Sequence, residues 1–202
     1  MSVATKKKTV VRQLVTQASA APAASSGVPD FTLVNGVLTV NVEGLHFEDR
    51  KDIKELIIGA GIKTIPERAY LRCIHLSRVI LPSGFKTIEY GAFVDCTSLV
   101  SVTFPDTLKT IGRDAFNGCT NLTAVVLPDS LKTLEIRAFK QCTSLKTMDL
   151  SNTKITTIGG YAFGDCTGLT SVTLPAGLYK IYFNAFDGCS SLASVAFPDA
   201  LQ

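Results

Sequence analysis

The chain has 202 residues, of which 46% are hydrophobic and 18% charged, and its formal net charge is +3. These values fit one folded domain or two small ones and argue against a chain that is disordered throughout. Six cysteines are too few for a disulfide-rich miniprotein, and two histidines without tryptophan leave little material for histidine-based catalysis or metal sites. The longest apolar runs fall short of 18 residues, so no transmembrane helix is expected.

Residues 1–30 carry the whole excess of positive charge. They contain one acid, Asp30, and their bases cluster near the start of the chain, whereas the rest of the sequence is neutral. Three interpretations stay open: a solvated tail, an anchoring arm that orders on a partner, or an organelle transit peptide. A secretory signal peptide is not expected, because Arg12 and Gln13 interrupt the apolar stretch. The bases of the predicted arm are Lys6, Lys7, Lys8 and Arg12.

Residues 31–49 are predicted to form an N-terminal cap built on a β-hairpin. Two runs rich in β-branched residues, 31–34 and 37–40, flank Asn35 and Gly36. Asn-Gly is the strongest short signal for a two-residue hairpin turn. We expect this hairpin to cover the first open edge of the fold that follows.

A repeat of 23 or 24 residues occupies residues 50–202. Each cysteine is preceded by an aromatic residue three positions earlier and by alanine four positions earlier, and is followed by leucine three positions later. An earlier copy without cysteine has Arg50 in the cysteine position and Ile53, Leu56 and Ile58 in the apolar positions. The sequence therefore predicts about seven stacked repeats. The cysteines are Cys73, Cys96, Cys119, Cys142, Cys166 and Cys189.

One repeat unit predicts a short strand, a turn, a second short strand and a helical turn. The L-x-x-V-x-L motif places two apolar side chains on one strand face, and a following proline ends that strand. A segment such as Leu108–Ile111 forms the second strand, and Ala115 with Phe116 then points inward from the helical turn. Because one unit cannot bury its own apolar face, neighbouring units must stack. The expected fold is a mainly β repeat solenoid with short helical turns.

The pattern L-x-x-V-x-L-P-x-x-L-x-x-I-G-x-x-A-F-x-x-C, clearest in residues 99–119, resembles the BspA-like leucine-rich repeats of the Treponema pallidum type. This resemblance implies a leucine-rich-repeat horseshoe or right-handed solenoid, curved or flattened, with strands on one face. Members of the family are typically surface proteins of bacteria or protists that bind other proteins or host matrix. The resemblance supplies no catalytic residues.

The cysteines are interpreted as a core ladder of small buried side chains rather than as a chemical site. They recur once per repeat beside core leucine and phenylalanine, and no C-x-x-C pair suggests a metal site. Cys73 and His75 lie two residues apart, on alternate sides of the chain, which disfavours a nucleophilic pair. We therefore predict no catalytic residues, no metal and no cofactor.

Four lysines share one register in the second strand of successive repeats, and each is followed by threonine. Stacked repeats turn them into a lysine ladder about 14 Å long. Two interpretations stay open, an anion-binding row and a solvated face that prevents aggregation, and Glu67, Glu89 and Glu135 are near enough in sequence to offset the charge. A neutral solenoid without stacking aromatics beside the row disfavours nucleic acid. The lysine ladder is Lys63, Lys86, Lys109 and Lys132.

The outward positions of the first strands are mostly small and neutral, which suits a flat protein contact. Charge enters only at Arg78, Lys146 and Asp149. The candidate binding residues on this surface are Thr103, Val126, Asp149 and Thr173. The other outward positions assigned from the sequence are Ser101, Thr123, Ser171, Ser194 and Ala196.

The leading hypothesis is a non-enzymatic module that binds protein through this strand surface. The alternatives are a structural subunit of a large assembly, held by the basic arm and an uncapped C-terminal edge, and a cell-surface adhesin. We expect protein partners in a larger complex, no small-molecule substrate, and self-association through the C-terminal edge as an option, because no cap follows Leu201. An intracellular location or one within an assembly is favoured over the cell surface.

Overall fold

The computed structural model describes residues 29–199 and residue 201 as a β-solenoid of about six turns. Two short strands recur in successive turns, except that the turn containing residues 124–126 forms only the second of them, and the described residues contain no helix. The strands are β1 Phe31–Val34, β2 Val37–Val40, β3 Glu55–Ile58, β4 Thr64–Ile65, β5 Arg78–Ile80, β6 Thr87–Ile88, β7 Ser101–Thr103, β8 Thr110–Ile111, β9 Thr133–Leu134, β10 Thr147–Asp149, β11 Thr157–Ile158, β12 Ser171–Thr173, β13 Lys180–Ile181 and β14 Val195–Ala196.

The strands form a main sheet and a second sheet. The main sheet consists of a five-stranded piece, β1-β2-β3-β5-β7, and a three-stranded piece, β10-β12-β14. The second sheet is continuous over six strands in the order β13-β11-β9-β8-β6-β4. Every pairing is parallel except that of β1 with β2. Because each repeat sits in register on the one before, equivalent side chains form columns along the solenoid.

The expected hairpin is present at the start of the described chain. Phe31 pairs with Val40 and Val34 with Val37, and the turn residues Asn35 and Gly36 have φ angles of 51° and 83°. Both values lie in the left-handed region that a type I′ turn requires. The second hairpin strand also pairs in parallel with β3, so it adds a rung to the main sheet. The assignment of residues 31–49 as a separate cap stays a prediction.

The segment predicted as a helical turn is instead a run of tight turns. Ala115 N–H donates to Gly112 O within its own repeat at 3.2 Å, whereas Phe116 N–H donates to Ala138 O of the next repeat at 2.8 Å. Two residues of the segment, Asp114 and Gly118, have positive φ angles of 54° and 77°. Left-handed residues cannot continue a right-handed helix. The alternation instead lets the turns stack on one another, so they add a third set of bonds between repeats.

A column of aromatic rings runs through the core. Neighbouring ring centroids lie 5.2–5.9 Å apart, with interplanar angles of 1–10°. Offset parallel stacking in this range adds about 0.5–1.5 kcal/mol per pair beyond the burial of area. Phe47, which lies three residues before Arg50, continues the column into the segment that the sequence assigned to the cap. The aromatic ladder consists of Phe47, Tyr70, Phe93, Phe116, Phe139, Phe163 and Phe186.

Among the repeats that contain cysteine, the one turn without proline accommodates an extra residue without breaking the stack. Thr153 is buried, and its backbone N–H and its Oγ1 both donate to Leu150 O, at 3.0 and 2.8 Å. On either side the ladder resumes, because Leu150 N–H donates to Thr173 O and Lys154 N–H to Leu131 O, each at 2.8 Å. A short polar turn therefore ends the first strand here, as a proline turn does in the other repeats that contain cysteine.

Candidate interaction surfaces

The main face, defined as the outward surface of the main sheet, contains the four residues predicted to bind a partner. Thr103 pairs in register with Ile80, and Asp149 pairs with Thr173, so these side chains share one column along the solenoid. All of them are exposed, and Val126, at 84%, is the most exposed large apolar side chain of the described chain. The structure thus brings the predicted residues to one surface.

Two outward positions assigned from the sequence are displaced by one residue. Thr123 and Lys146 precede the strand positions, which Ala124 and Thr147 occupy instead. Thr123 and Lys146 are exposed but contribute backbone bonds at the edge of the strand, with Lys146 N–H donating to Thr123 O at 3.4 Å. The main face is therefore less charged than predicted, because Ala124 and Thr147 occupy the outward positions that the sequence assigned to Thr123 and Lys146.

The charges that remain on the main face are engaged within the molecule. Arg78 Nη2 contacts both carboxylate oxygens of Glu55 on the neighbouring strand at 2.9 and 3.0 Å. Asp149 Oδ1 accepts the backbone N–H of Ser151 at 2.9 Å, and this bond holds the pKa of Asp149 below its usual value. Asp149 is therefore a turn-stabilising residue as well as a surface one. From Ser101 to Thr173 the column presents mainly hydroxyl and aliphatic groups.

The main sheet is interrupted in its middle, at residues 124–126. Ala124, Val125 and Val126 make no backbone hydrogen bond to any other described residue, and this rung separates the five-stranded piece from the three-stranded one. Phe104, which stands where neighbouring repeats have leucine, lies beside the interruption and contacts Phe116 edge to face at 5.9 Å. The backbone groups of this rung are therefore not paired within the described chain.

The second face, defined as the outward surface of the second sheet, carries the lysine ladder. Lys86 N–H donates to Lys63 O at 2.8 Å, Lys109 N–H to Lys86 O at 2.9 Å, and Lys132 N–H to Lys109 O at 2.9 Å. The four side chains are exposed on successive rungs. No carboxylate of the described residues lies within 4.0 Å of their amines.

The carboxylates expected to offset the positive charge of the lysine ladder bind other groups. Glu89 Oε2 accepts the backbone N–H of Glu67 at 3.2 Å, and Glu135 Oε2 accepts that of Arg113 at 2.8 Å. Glu67 itself contacts Arg68 at 3.9 Å. These carboxylates therefore bond the backbone of the preceding rung or pair with arginine instead of neutralising the ladder.

The cysteines form the predicted column beside the core, and all six are free thiols. Each Sγ donates to the carbonyl of the aromatic-ladder residue one repeat earlier, for example Cys119 Sγ to Phe93 O at 3.2 Å. Burial raises the pKa of Cys73 to about 12 and that of half-buried Cys189 to about 11. Since only the thiolate is a strong nucleophile, these thiols are chemically quiet near neutral pH. For most of these carbonyls the Sγ is a second donor, because they also accept the backbone N–H of the cysteine in their own repeat, as Phe93 O does from Cys96 N–H at 3.2 Å.

Cys73 and His75, which the sequence disfavours as a nucleophilic pair, lie in different environments. Cys73 is buried and bonded to Phe47 O at 3.0 Å, whereas His75 is exposed. Within residues 29–199 and 201, no three histidine, cysteine or acidic side chains come together as a metal site would need. The predicted arm residues Lys6, Lys7, Lys8 and Arg12 lie outside the described residues.

An exposed aromatic cluster lies at the C-terminal end of the second face, so the expectation that no aromatic residues stand beside the lysine ladder is wrong. Tyr179, Tyr182 and Phe183 are 48%, 43% and 64% exposed. Phe183 packs edge to face on Tyr161, with centroids 5.5 Å apart, and the amine of Lys180 lies 4.6 Å from the Tyr182 ring centroid. The register of the lysine ladder would have revealed the cluster, because Tyr179 occupies the lysine position two rungs beyond Lys132.

Comparisons with known proteins agree on the fold. The family model described as "BspA type Leucine rich repeat region" matches in six copies, over residues 40–153 and 86–202. No similar sequence was found among curated proteins. In the part of the chain that the structure describes, no helix has the length and apolarity to cross a bilayer.

Solved structures of similar fold come from bacteria. A leucine-rich repeat protein of T. pallidum is 29% identical with a TM-score of 0.69, over 84% of this chain and 79% of that one. A leucine-rich repeat protein from Bacteroides ovatus is 24% identical with a TM-score of 0.58, over 88% of this chain and 54% of that one. A leucine rich cell surface protein from Faecalibacterium prausnitzii is 24% identical with a TM-score of 0.54, over 88% and 55%.

Proposed function

This chain belongs to the BspA type leucine-rich repeat family, and from that premise we propose that it is a non-enzymatic module that binds protein through its main face. The observation that carries the proposal is the exposed column containing Thr103, Val126 and Thr173. Its side chains are short or β-branched. The one charge in the column, Asp149, accepts the backbone N–H of Ser151, and Arg78 in the adjacent column pairs with Glu55. A partner can therefore approach the backbone closely without desolvating an unpaired charge.

The interrupted rung supports the same surface. Val126 protrudes from a segment whose backbone groups are not paired within the described chain. An exposed apolar side chain with hydroxyl-bearing residues such as Thr103 and Thr173 in the same column offers a partner both burial and polar contacts. Such a combination is typical of the centre of an interface, where apolar contact is surrounded by polar groups.

The experiment compares two triple variants. Thr103→Lys, Val126→Lys and Thr173→Lys together place three long charged side chains on the main face. A control with lysine at Asn121, Thr167 and Ser191 adds the same charge at exposed positions of the turn segment. Partners captured from the native source by the immobilised chain are identified by mass spectrometry, purified and titrated against each variant.

The proposal expects the main-face variant to lose at least about tenfold in affinity for the purified partner, because charges buried unpaired in an interface are costly. The control is expected to bind as the original chain does. Equal binding by all three proteins would overturn the main-face proposal. A partner lost only on removal of residues 1–30 would favour the structural-subunit alternative instead.

A cell-surface adhesin is the second candidate, favoured by the similarity to the F. prausnitzii protein, which is a cell surface protein. The leading proposal places the chain inside the cell or within an assembly. Biotinylation of intact source cells with a membrane-impermeant reagent separates the two. Labelling of this chain at the level of known surface proteins would support the adhesin, and protection until lysis would support the leading proposal.

A further inference from the structure

We propose that the second face is a separate docking surface, which binds an acidic helical segment of a partner protein along the lysine ladder and the aromatic cluster. This surface is distinct from the main face, so the inference does not depend on the function proposed above. It rests on three observations: the spacing of the ladder, the absence of any described carboxylate within 4.0 Å of its amines, and the exposed aromatic residues at its C-terminal end.

The ladder is a straight, regular row of positive charge. Backbone bonds tie Lys63, Lys86, Lys109 and Lys132 to successive rungs, so their Cα atoms repeat at about 4.8 Å along the solenoid. Side chains of like charge at directly neighbouring positions of a sheet are destabilising. A row of four in register, with no carboxylate of the described residues within 4.0 Å, therefore costs stability that a bound anion would restore.

The aromatic cluster extends the same surface. Tyr179 N–H donates to Thr156 O at 3.0 Å, which places Tyr179 in the lysine column. Tyr182 and Phe183 are in the positions that Glu135 and Ile136 occupy two rungs earlier. Glu135 and Ile136, which lie away from the end of the solenoid, are exposed as well. Tyrosine and phenylalanine are the side chains on which interface energy concentrates.

The spacing of the lysines along the solenoid matches the spacing of side chains on a helix better than that on an extended strand. On one face of an α-helix, residues three and four apart are separated by about 4.5 and 6.0 Å along the axis, which brackets the rung spacing. In an extended strand, side chains on one face recur at about 6.6 Å, so within four rungs they no longer lie opposite the lysines. From Lys63 to Tyr179 the surface spans five rung spacings, about 24 Å, or about 16 residues of helix.

The test uses a synthetic fluorescent peptide that matches this chemistry. Glutamates recur every three to four residues over the first three turns, and leucine and phenylalanine follow on the same face about 16 residues from the first glutamate. A second peptide with the acidic and apolar halves exchanged covers the opposite chain direction. Peptides with glutamine in place of glutamate are the matched controls. Binding to the full chain is measured by fluorescence anisotropy.

The protein variants separate the ladder from general charge. Lys86→Glu with Lys109→Glu reverses two ladder positions, and Lys51→Glu with Lys146→Glu makes the same charge change at exposed lysines elsewhere. We expect at least one acidic peptide to bind, with about tenfold weaker affinity for the ladder variant and no change for the control. Tyr179→Ser with Tyr182→Ser is also expected to weaken binding about tenfold. Thermal unfolding of each variant establishes that it is folded.

Several results would overturn the inference. They are equal affinity of the ladder variant and the original chain, equal binding of the glutamate and glutamine peptides, and binding that is unchanged between about 0.05 M and 0.5 M salt. Anionic vesicles and heparin are tested in parallel. Binding of either one, without binding of the acidic peptides, would assign the ladder to a different class of ligand. Because the glutamine peptides need no change to the protein, the inference remains falsifiable even if a variant fails to fold.

Discussion

Replacing Phe116 by alanine is expected to be among the most damaging single changes in this chain. Its ring is fully buried and stacks between Phe93 and Phe139 at 5.3 and 5.2 Å, and Phe104 contacts it edge to face at 5.9 Å. Phenylalanine-to-alanine changes in cores cost about 3–5 kcal/mol. Three ring contacts of about 0.5–1.5 kcal/mol each place Phe116→Ala at the upper end, at about 4–5 kcal/mol.

Phe186 supplies a matched comparison at the end of the same ladder. It is half-buried and stacks on Phe163 at 5.4 Å, so the same substitution there removes less buried area and one ring contact. We expect a cost of about 1.5–2.5 kcal/mol. Phe116→Leu keeps much of the volume and loses the ring contacts, and its cost should fall between the two alanine variants.

Urea denaturation followed by circular dichroism measures these differences, with the slope of the unfolding free energy against urea fitted jointly. The chain has no tryptophan, so far-ultraviolet ellipticity is the suitable signal. Equal losses of unfolding free energy for Phe116→Ala and Phe186→Ala would refute the view that the aromatic ladder is a continuous stabilising column.

Three further predictions concern pH, backbone contact and charge. Burial raises the pKa of every cysteine thiol, to about 11 for Cys189 and further for the rest. Above the unfolded-state pKa of about 8.5, the unfolded chain releases protons that the native chain keeps, so the free energy of unfolding is full well below pH 8.5 and should fall as the pH rises from there toward about 11. An unfolding free energy in urea that stays level up to pH 11 would contradict this. A Cβ on Gly159 would lie 2.5 Å from the backbone of the preceding rung, whereas one on Gly177 meets nothing within 4 Å. Gly159→Ala should therefore cost about 1–3 kcal/mol and Gly177→Ala should be neutral or slightly stabilising, and similar melting temperatures for the two would count against the packing described. Lys109→Glu should stabilise the chain by about 0.5–2 kcal/mol at low salt through two new opposite-charge pairs, an effect that urea titration should find abolished near 1 M salt; destabilisation at low salt would contradict the like-charge argument.

Much of the fold follows from the sequence because the repeat fixes it at many positions at once. The cysteine spacing, the aromatic position before it and the strand motif after it all recur, so each rung confirms the register of the next. Asn35 and Gly36 predicted the hairpin for an independent reason, since their positive φ angles suit its turn. Burial of the cysteines likewise follows from their recurrence beside core leucine.

The turn segments could not be predicted in the same way. Arg68, Arg72 and Tyr161 adopt positive φ angles of 53°, 55° and 55°, although none of these residue types favours that conformation. Hydrogen bonds to the next repeat impose it, and such bonds exist only once the repeats are stacked. The sequence does not predict the interruption at residues 124–126 either, because an Ala-Val-Val segment is as well suited to a strand as the equivalent segments of the adjacent repeats are.

The candidate surfaces were predicted only as columns of residues. The sequence placed the four lysines in one register, but their lack of carboxylate neighbours depends on where Glu89 and Glu135 direct their side chains. The displacement of Thr123 and Lys146 arose because a strand of three residues carries too little alternation to fix its start.

The most direct test of the central claim, that the main face binds a protein partner, is a scan with a photoreactive amino acid. It replaces Thr103, Val126 or Thr173 on the main face, and Asn121 or Thr167 on the turn segment, one position at a time. Each variant is irradiated with the native-source extract, and the covalent adducts are identified by mass spectrometry. The account predicts one recurring protein adduct at the three main-face positions and none at the turn positions. Adducts confined to the turn positions, or the same yield at all five, would contradict it.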